Sequence, residues 1–223
     1  MIERLYFNLT NKCNTECEFC CMYSSPKKNT YLEFNKYKEI IDSHKNNFEL
    51  QLEGGEPLLH KDLFLFMEYA ISTGRCIKII ILSNGKILNK FIKRLVELHE
   101  FYKIPITLKI SVNYWLYNEN NNILNNLRDY YLSTEFIEEF DIILNVRLRN
   151  GDTDKWLVNK IDEFGLTNIS NIYYLQSYGR LSNSNYEKPV IVQTVDNWYI
   201  YSSDGKCFGQ DLISRSEYEK GLN

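Results

Sequence analysis

Four of the chain's six cysteines fall within nine consecutive positions, "CNTECEFCC", residues 13–21 of 223. Cys13, Cys17 and Cys20 have the spacing C-x3-C-x2-C and follow "RLYFNLT", which reads as a β-strand. Three thiolates on one short loop suit a disulfide frame, a zinc ion or an iron–sulfur cluster. Disulfide frames belong to oxidising compartments, and Glu3, Arg4 and Asn8 interrupt any apolar run that could act as a secretory segment. A tetrathiolate zinc site needs a fourth ligand, and Cys21, directly after Cys20, is poorly placed to aim at the same ion. Zinc ribbons also take their ligands as two separated pairs, and the sequence has no second pair. An iron–sulfur cluster fits better: each iron takes a soft anionic ligand, and three cysteines leave one iron open to another molecule.

A second pattern, "LEGGEPLL" at residues 52–59, closes the next β-like run. By itself it reads as a strand-to-helix turn with Pro57 near the helix start. Taken with the cysteines, and with Phe19 just before the third of them, it resembles the radical S-adenosylmethionine (radical SAM) superfamily. The resemblance runs over about residues 3–181. It implies one 4Fe–4S cluster on Cys13, Cys17 and Cys20, with S-adenosyl-L-methionine on the open iron, cleaved to methionine and a 5'-deoxyadenosyl radical. Gly54, Gly55 and Glu56 would then meet the methionine end, the glycines letting backbone approach closely. "ILSNG" (81–85) contributes Ser83 and Asn84, and "KISVN" (109–113) contributes Ser111 and Asn113. Asn145 or Arg147 would complete the contacts to ribose and carboxylate. "YYLQSYGRL" (173–181), with Gln176, resembles the sixth strand and turn beside the adenine.

These residues need a scaffold, and the chain alternates β-like runs with helical spacing. "RLYFNLT", "FELQLEG", "CIKIIILSN", "ITLKISVN", "DIILNVRLR" and "NIYYLQS" are separated by expected helices near 33–47, 61–74, 86–101, 117–132 and 153–164. Such alternation predicts an α/β fold with parallel strands and right-handed crossovers, here a partial (β/α)6 barrel with its site at the carboxyl ends of the strands. Strand parity puts Thr107, Lys109, Ser111 and Asn113 on one face, and Asn145, Arg147 and Arg149 on another such face. Polar strand faces suit either a ligand-filled interior or a solvated surface. From residue 182 to 223 we expect a small extension. Runs at 190–194 and 198–202 should form a hairpin, Trp198 and Tyr199 should face opposite ways, and "SDGK" should turn. By resemblance this is a short SPASM- or twitch-like tail without the cysteines for an auxiliary cluster. Cys207 is expected to be buried there as a small hydrophobe. His44, His60 and His99 share no ligand spacing and are expected to be structural or solvent-facing.

Composition narrows the function classes. Hydrophobic residues make up 44%, charged residues 25%, and the net charge is −3 with signs interspersed, so no broad basic surface for nucleic acid is expected. No run approaches the roughly 20 apolar residues of a membrane span. A cytoplasmic protein is expected, with an electron donor such as flavodoxin or ferredoxin as partner. For the substrate, the first reading is a peptide or protein side chain, favoured by the "GRL" turn and the hairpin tail, and a small molecule is the alternative. The short chain favours a nucleoside, sugar or amino acid. A non-catalytic metal-binding module is the third reading, and it leaves "GGEP" without a purpose.

Overall fold

The computed structural model describes residues 2–189 and 197–223. Strands β1 (Ile2–Asn8), β2 (Asn47–Glu53), β3 (Cys76–Ser83), β4 (Ile106–Asn113), β5 (Phe140–Leu148), β6 (Ser170–Tyr174) and β7 (Trp198–Tyr201) form one sheet. Its order is β6-β5-β4-β3-β2-β1-β7 and every pairing is parallel. Helices α1 (Phe34–Ser43), α2 (Leu63–Ser72), α3 (Ile92–Tyr102), α4 (Tyr114–Glu119), α5 (Ile123–Thr134) and α6 (Lys155–Glu163) fill the crossovers, and α7 (Leu212–Gly221) follows β7. The first six strands and their crossovers make the partial barrel that the alternation predicts.

Strand parity divides the sheet into two unlike faces. Leu5, Phe7, Leu50, Leu52, Ile79 and Ile81 are at most 1% exposed and belong to one apolar core with helix residues such as Tyr37, Met67 and Leu95. Tyr37 stacks on Phe66 and meets Phe7 edge-on, which ties α1 and α2 to the outer face of β1. Alternate residues on the other face are largely polar: Arg4, Glu49, Gln51, Glu53, Thr107, Lys109, Ser111 and Asn145. Registers Arg4↔Glu49, Asn8↔Glu53 and Ser111↔Asn145 arrange them in layers.

The structure departs from the expected elements at 117–132 and in the tail. The segment read as one helix at 117–132 is two helices, because Asn113 caps α4 by accepting from Leu116 N (3.0 Å) and Asn120 turns the chain before α5. The tail is part of the main sheet: β7 pairs with β1 from Arg4↔Trp198 to Phe7↔Tyr201. Without it, β1 would present an open edge. The first arm of the expected hairpin, 190–194, lies outside the described residues. Trp198 packs on Tyr6 and Tyr199 on His44, so their opposite facing is as expected. The "SDGK" turn is closed by Gly205 N donating to Ser202 O (2.9 Å). Helix α7 has no counterpart in the sequence reading, since its buried residues are Arg215, Ser216 and Glu219 rather than an apolar stripe.

Candidate active site

The cysteine loop leaves the carboxyl end of β1 and is tied to its surroundings by main-chain bonds. Leu9 N donates to Glu53 O (2.8 Å), Leu32 N to Leu9 O (2.8 Å) and Cys13 N to Ser25 O (3.1 Å). The "GGEP" turn packs directly on it, with Gly55 N donating to Thr10 O (2.6 Å) and Glu56 N to Lys12 O (2.9 Å). A Cβ on Gly55 would stand 2.1 Å from Lys12 O, so this position admits only glycine. The close approach visible here is to the cysteine loop itself, a reason for the glycine that the sequence reading did not contain.

Two further elements brace the loop. In the turn Gly179–Leu181, Arg180 donates from Nη1 to Cys17 O (3.1 Å) and from Nη2 to Ser24 O (2.9 Å), and its backbone N donates to Cys20 O (3.2 Å). Gly179, at φ 63°, rests against Cys21, and an added Cβ would fall 2.4 Å from Cys21 Cα. On the other side, Glu119 of α4 accepts from Thr15 Oγ1 (2.9 Å) and pairs with Lys86 (2.9 Å), while Tyr114 bonds Glu18.

Between these elements and the strand ends lies one pocket. It is lined by Cys13, Cys17 and Cys20 together with Gly54, Gly55, Ser83, Asn84, Ser111, Asn113, Arg147 and Gln176. Two expected site residues are not part of the lining. The carboxylate of Glu56 is fully buried behind it, accepting from Leu58 N (3.1 Å), Ser83 Oγ (2.8 Å) and Asn84 N (2.8 Å). It holds two lining residues, Ser83 and Asn84, in place and is itself fully buried. Asn145 stands in register with Ser111 on the inner face and is 9% exposed, with its Oδ1 unpartnered. Arg149, grouped with Arg147 by parity, is taken up by Asp154 (2.6 Å) and the Tyr114 ring.

Sequence reasoning missed Thr15, Met22, Leu82, Leu116, Leu175 and Tyr178, which also line the pocket. Tyr178 lies in the quoted "YGRL" stretch, and Met22 directly follows the cysteine run; the apolar members carry no signal apart from their neighbours. The remaining cysteines are dispersed. Cys76 is buried at the amino end of β3, and Cys207 is exposed after β7, contrary to its expected burial, because the tight turn carries it to the surface. The histidines hold structure: His44 bridges Glu3 and Tyr201 (both 2.7 Å), His60 bonds Leu32 O (3.1 Å) and His99 bonds Ile104 O (2.8 Å).

Burial pushes Cys13 and Cys17 up to about 12 and raises Cys20 as well, so thiolates here require positive charge from a metal. Among the described residues no three His, Cys, Asp or Glu side chains could hold a single ion. A multi-iron cluster gives each thiolate an iron of its own, so three cysteines around one pocket fit it in number and in donor softness. Asn84 Nδ2 donates to Cys13 Sγ (3.6 Å), a contact of the kind that tunes a ligating sulfur. Arg147 makes no hydrogen bond or ion pair among the described residues, which leaves its guanidinium available beside the pocket.

An open parallel barrel with three thiols and a glycine-edged pocket at its strand ends is the core of a cluster-dependent enzyme. Residues 7–140 match the Radical SAM superfamily, and the chain belongs to it. Enzymes of this superfamily work with a 4Fe–4S cluster and S-adenosylmethionine. The S-adenosylmethionine-dependent nucleotide dehydratase of Selenomonas ruminantium is 30% identical over 91 residues, 40% of this chain and 32% of that one. The subtilosin biosynthesis protein AlbA of Bacillus subtilis is 29% identical over 109 residues, 48% and 23% of the two chains. The GTP 3',8-cyclase of Staphylococcus epidermidis is 27% identical over 184 residues, 75% and 52%. The chain thus spans about half or less of these three relatives. A solved structure of anSMEcpe with bound AdoMet and Kp18Cys peptide shares the fold, at TM-score 0.56 and 13% identity over 88% of this chain and 55% of that one. Among the described residues no helix is long and apolar enough to cross a membrane.

Proposed function

We propose that this chain binds a 4Fe–4S cluster on Cys13, Cys17 and Cys20 and S-adenosylmethionine in the adjoining pocket, and directs the resulting radical at a small polar substrate inside the barrel. When bound, cluster and S-adenosylmethionine supply one-electron cleavage to methionine and a 5'-deoxyadenosyl radical that takes a hydrogen atom from the substrate. The chain's own residues do the positioning. Gly54 and Gly55 present bare backbone to the methionine end, Ser111 and Asn113 offer hydrogen bonds to ribose, Arg147 offers charge to the carboxylate, and Gln176 borders the adenine side. Glu56 keeps Ser83 and Asn84 oriented. The electron comes from a cytoplasmic donor such as flavodoxin or ferredoxin.

The observation that carries the substrate reading is the inner face, which is polar and is closed at β1 and β2 by α7 through Asn8–Glu219 (2.5 Å) and Arg215–Glu53 (2.6 Å). Both features that favoured a peptide have other uses here, since Arg180 braces the cysteine loop and β7 completes the sheet. A peptide or protein side chain is the second reading. It is favoured by a cleft at edge strand β6 that shares Arg147, Leu175 and Gln176 with the main pocket and exposes Tyr173 and Tyr174.

Anaerobic reconstitution tests the core of the proposal. About four irons per chain are expected, lost in Cys13→Ala, Cys17→Ala or Cys20→Ala and kept in Cys21→Ala, Cys76→Ala or Cys207→Ala. The reduced protein should release 5'-deoxyadenosine slowly without substrate. Iron retained after loss of Cys17 would refute the ligand set.

A further inference from the structure

Two sulfurs of the cysteine loop have a polar side chain within reach, and the two side chains differ in how many hydrogens they hold. Asn84 Nδ2 carries two: it donates to Asn14 Oδ1 (2.7 Å) and to Cys13 Sγ (3.6 Å). Thr15 Oγ1 carries one and stands 3.9 Å from Cys17 Sγ. The direction of that single hydrogen decides whether Cys17 receives a hydrogen bond or faces an oxygen lone pair.

Helix α4 sets the direction. Trp115 and Glu119 are four residues apart, on one face of the helix, and both reach Thr15. Glu119 accepts from Thr15 Oγ1 at 2.9 and 3.0 Å, and Trp115 Nε1 donates to Thr15 Oγ1 (3.3 Å) and to Glu119 Oε1 (3.2 Å). Lys86 pairs with the same carboxylate (2.9 Å) and also donates to Asn14 O (3.3 Å) on the loop. Burial opposes the charge on Glu119, but the bonds from Lys86, Thr15 and Trp115 outweigh it and lower its pKa. A carboxylate at 2.9 Å is a far stronger acceptor than a sulfur at 3.9 Å, so the Thr15 hydrogen lies on Glu119. Trp115 takes one lone pair of the hydroxyl, and the other is left toward Cys17.

We infer that Glu119 and Thr15 are positioning residues that hold the reduction potential of the cluster low: Glu119 draws the Thr15 hydrogen away from Cys17 and sets a negative charge beside the loop. Hydrogen bonds to ligating sulfurs and nearby positive charge stabilise a reduced cluster, so withholding the bond and adding a carboxylate both disfavour reduction. A strongly reducing cluster is what one-electron cleavage of a sulfonium requires. The inference rests on the cluster reading above and adds to it two residues that act through Cys17.

Potentiometric titration of the reconstituted full chain, followed by electron paramagnetic resonance of the reduced cluster without S-adenosylmethionine or substrate, tests it. Glu119→Ala frees the hydroxyl and should raise the midpoint by about 59 mV or more for one electron, a tenfold shift in the reduction equilibrium. Thr15→Val should leave the midpoint at or slightly above the wild-type value, since it takes no hydrogen from Cys17. In the Thr15→Val background, Glu119→Ala should raise the midpoint by less than half as much, the remainder being the loss of charge. Lys93→Met, on the exposed face of α3, should change nothing. Thr15→Val decides the direction of the hydrogen even if Glu119→Ala holds no iron. An unchanged midpoint in Glu119→Ala, a lowered one in Thr15→Val, or an equal rise in both backgrounds would each overturn the inference. A wild-type chain that binds no cluster sinks the proposed function, whereas a cluster whose potential ignores Glu119 sinks this inference alone.

Discussion

Glu56 shows how one residue of a recognisable pattern can work beside a site without touching its ligand. Burial pushes its carboxyl up to about 7, against three donors that favour the carboxylate. Since the folded value lies above the unfolded one, its contribution to stability is full below about pH 4.5 and is lost as pH rises through about 7. Melting temperature should therefore fall from pH 6 to pH 8 in the wild type and less steeply in Glu56→Gln. An equal pH slope in both proteins would remove Glu56 as the titrating group. Gly55 makes the complementary case. Gly55→Ala would press on Lys12, next to Cys13, and reconstituted iron should drop below half of the wild-type content. Full iron would show that the loop yields freely there.

At the scale of elements, the cysteine loop has almost no regular structure of its own and depends on three neighbours: the turn after β2, helix α4 and the turn Gly179–Leu181. Arg180 joins Cys17 O and Ser24 O, two points that are distant along the loop, and so limits how far it can open. Arg180→Gln keeps a polar side chain but cannot span both carbonyls. Iron loss to a chelator should be about tenfold faster in this variant, in line with the effect of outer-shell partners at metal sites. Equal loss rates would show that the loop is held by its main-chain bonds alone.

For the whole molecule, α7 and β7 close what the six-strand barrel leaves open. Deleting residues 212–223 would strand Glu53 without Arg215 and expose Asn8 and Cys21, both of which α7 contacts. Breaking a buried ion pair costs about 3–5 kcal/mol, which in a chain of this size corresponds to roughly a 10 °C lower melting temperature. A chain ending at Ser182 would also bare the edge of β1 and is expected to aggregate. If the shorter deletion melts like the wild type, α7 does not belong to the folded unit.

The chemistry is legible in the sequence because it resides in local spacing: Cys13, Cys17 and Cys20 on one loop, Gly54 and Gly55 at a strand end, and the period-two alternation that sets Ser111, Asn113 and Arg147 on one side of the sheet. Crossover helices with apolar stripes were legible for the same reason, since periodicity reports burial against a neighbour along the chain. Tertiary structure decided the rest. It turned Glu56 behind the pocket, gave Arg149 to Asp154 and brought Cys207 to the surface. It also set a helix with a polar buried face over the barrel interior. Partners 150 residues or more away, such as Glu53 and Arg215, leave no periodic trace in either segment. Whether a charged residue is solvated, paired or held ready for a ligand depends on what lies opposite it, and only the folded chain specifies that.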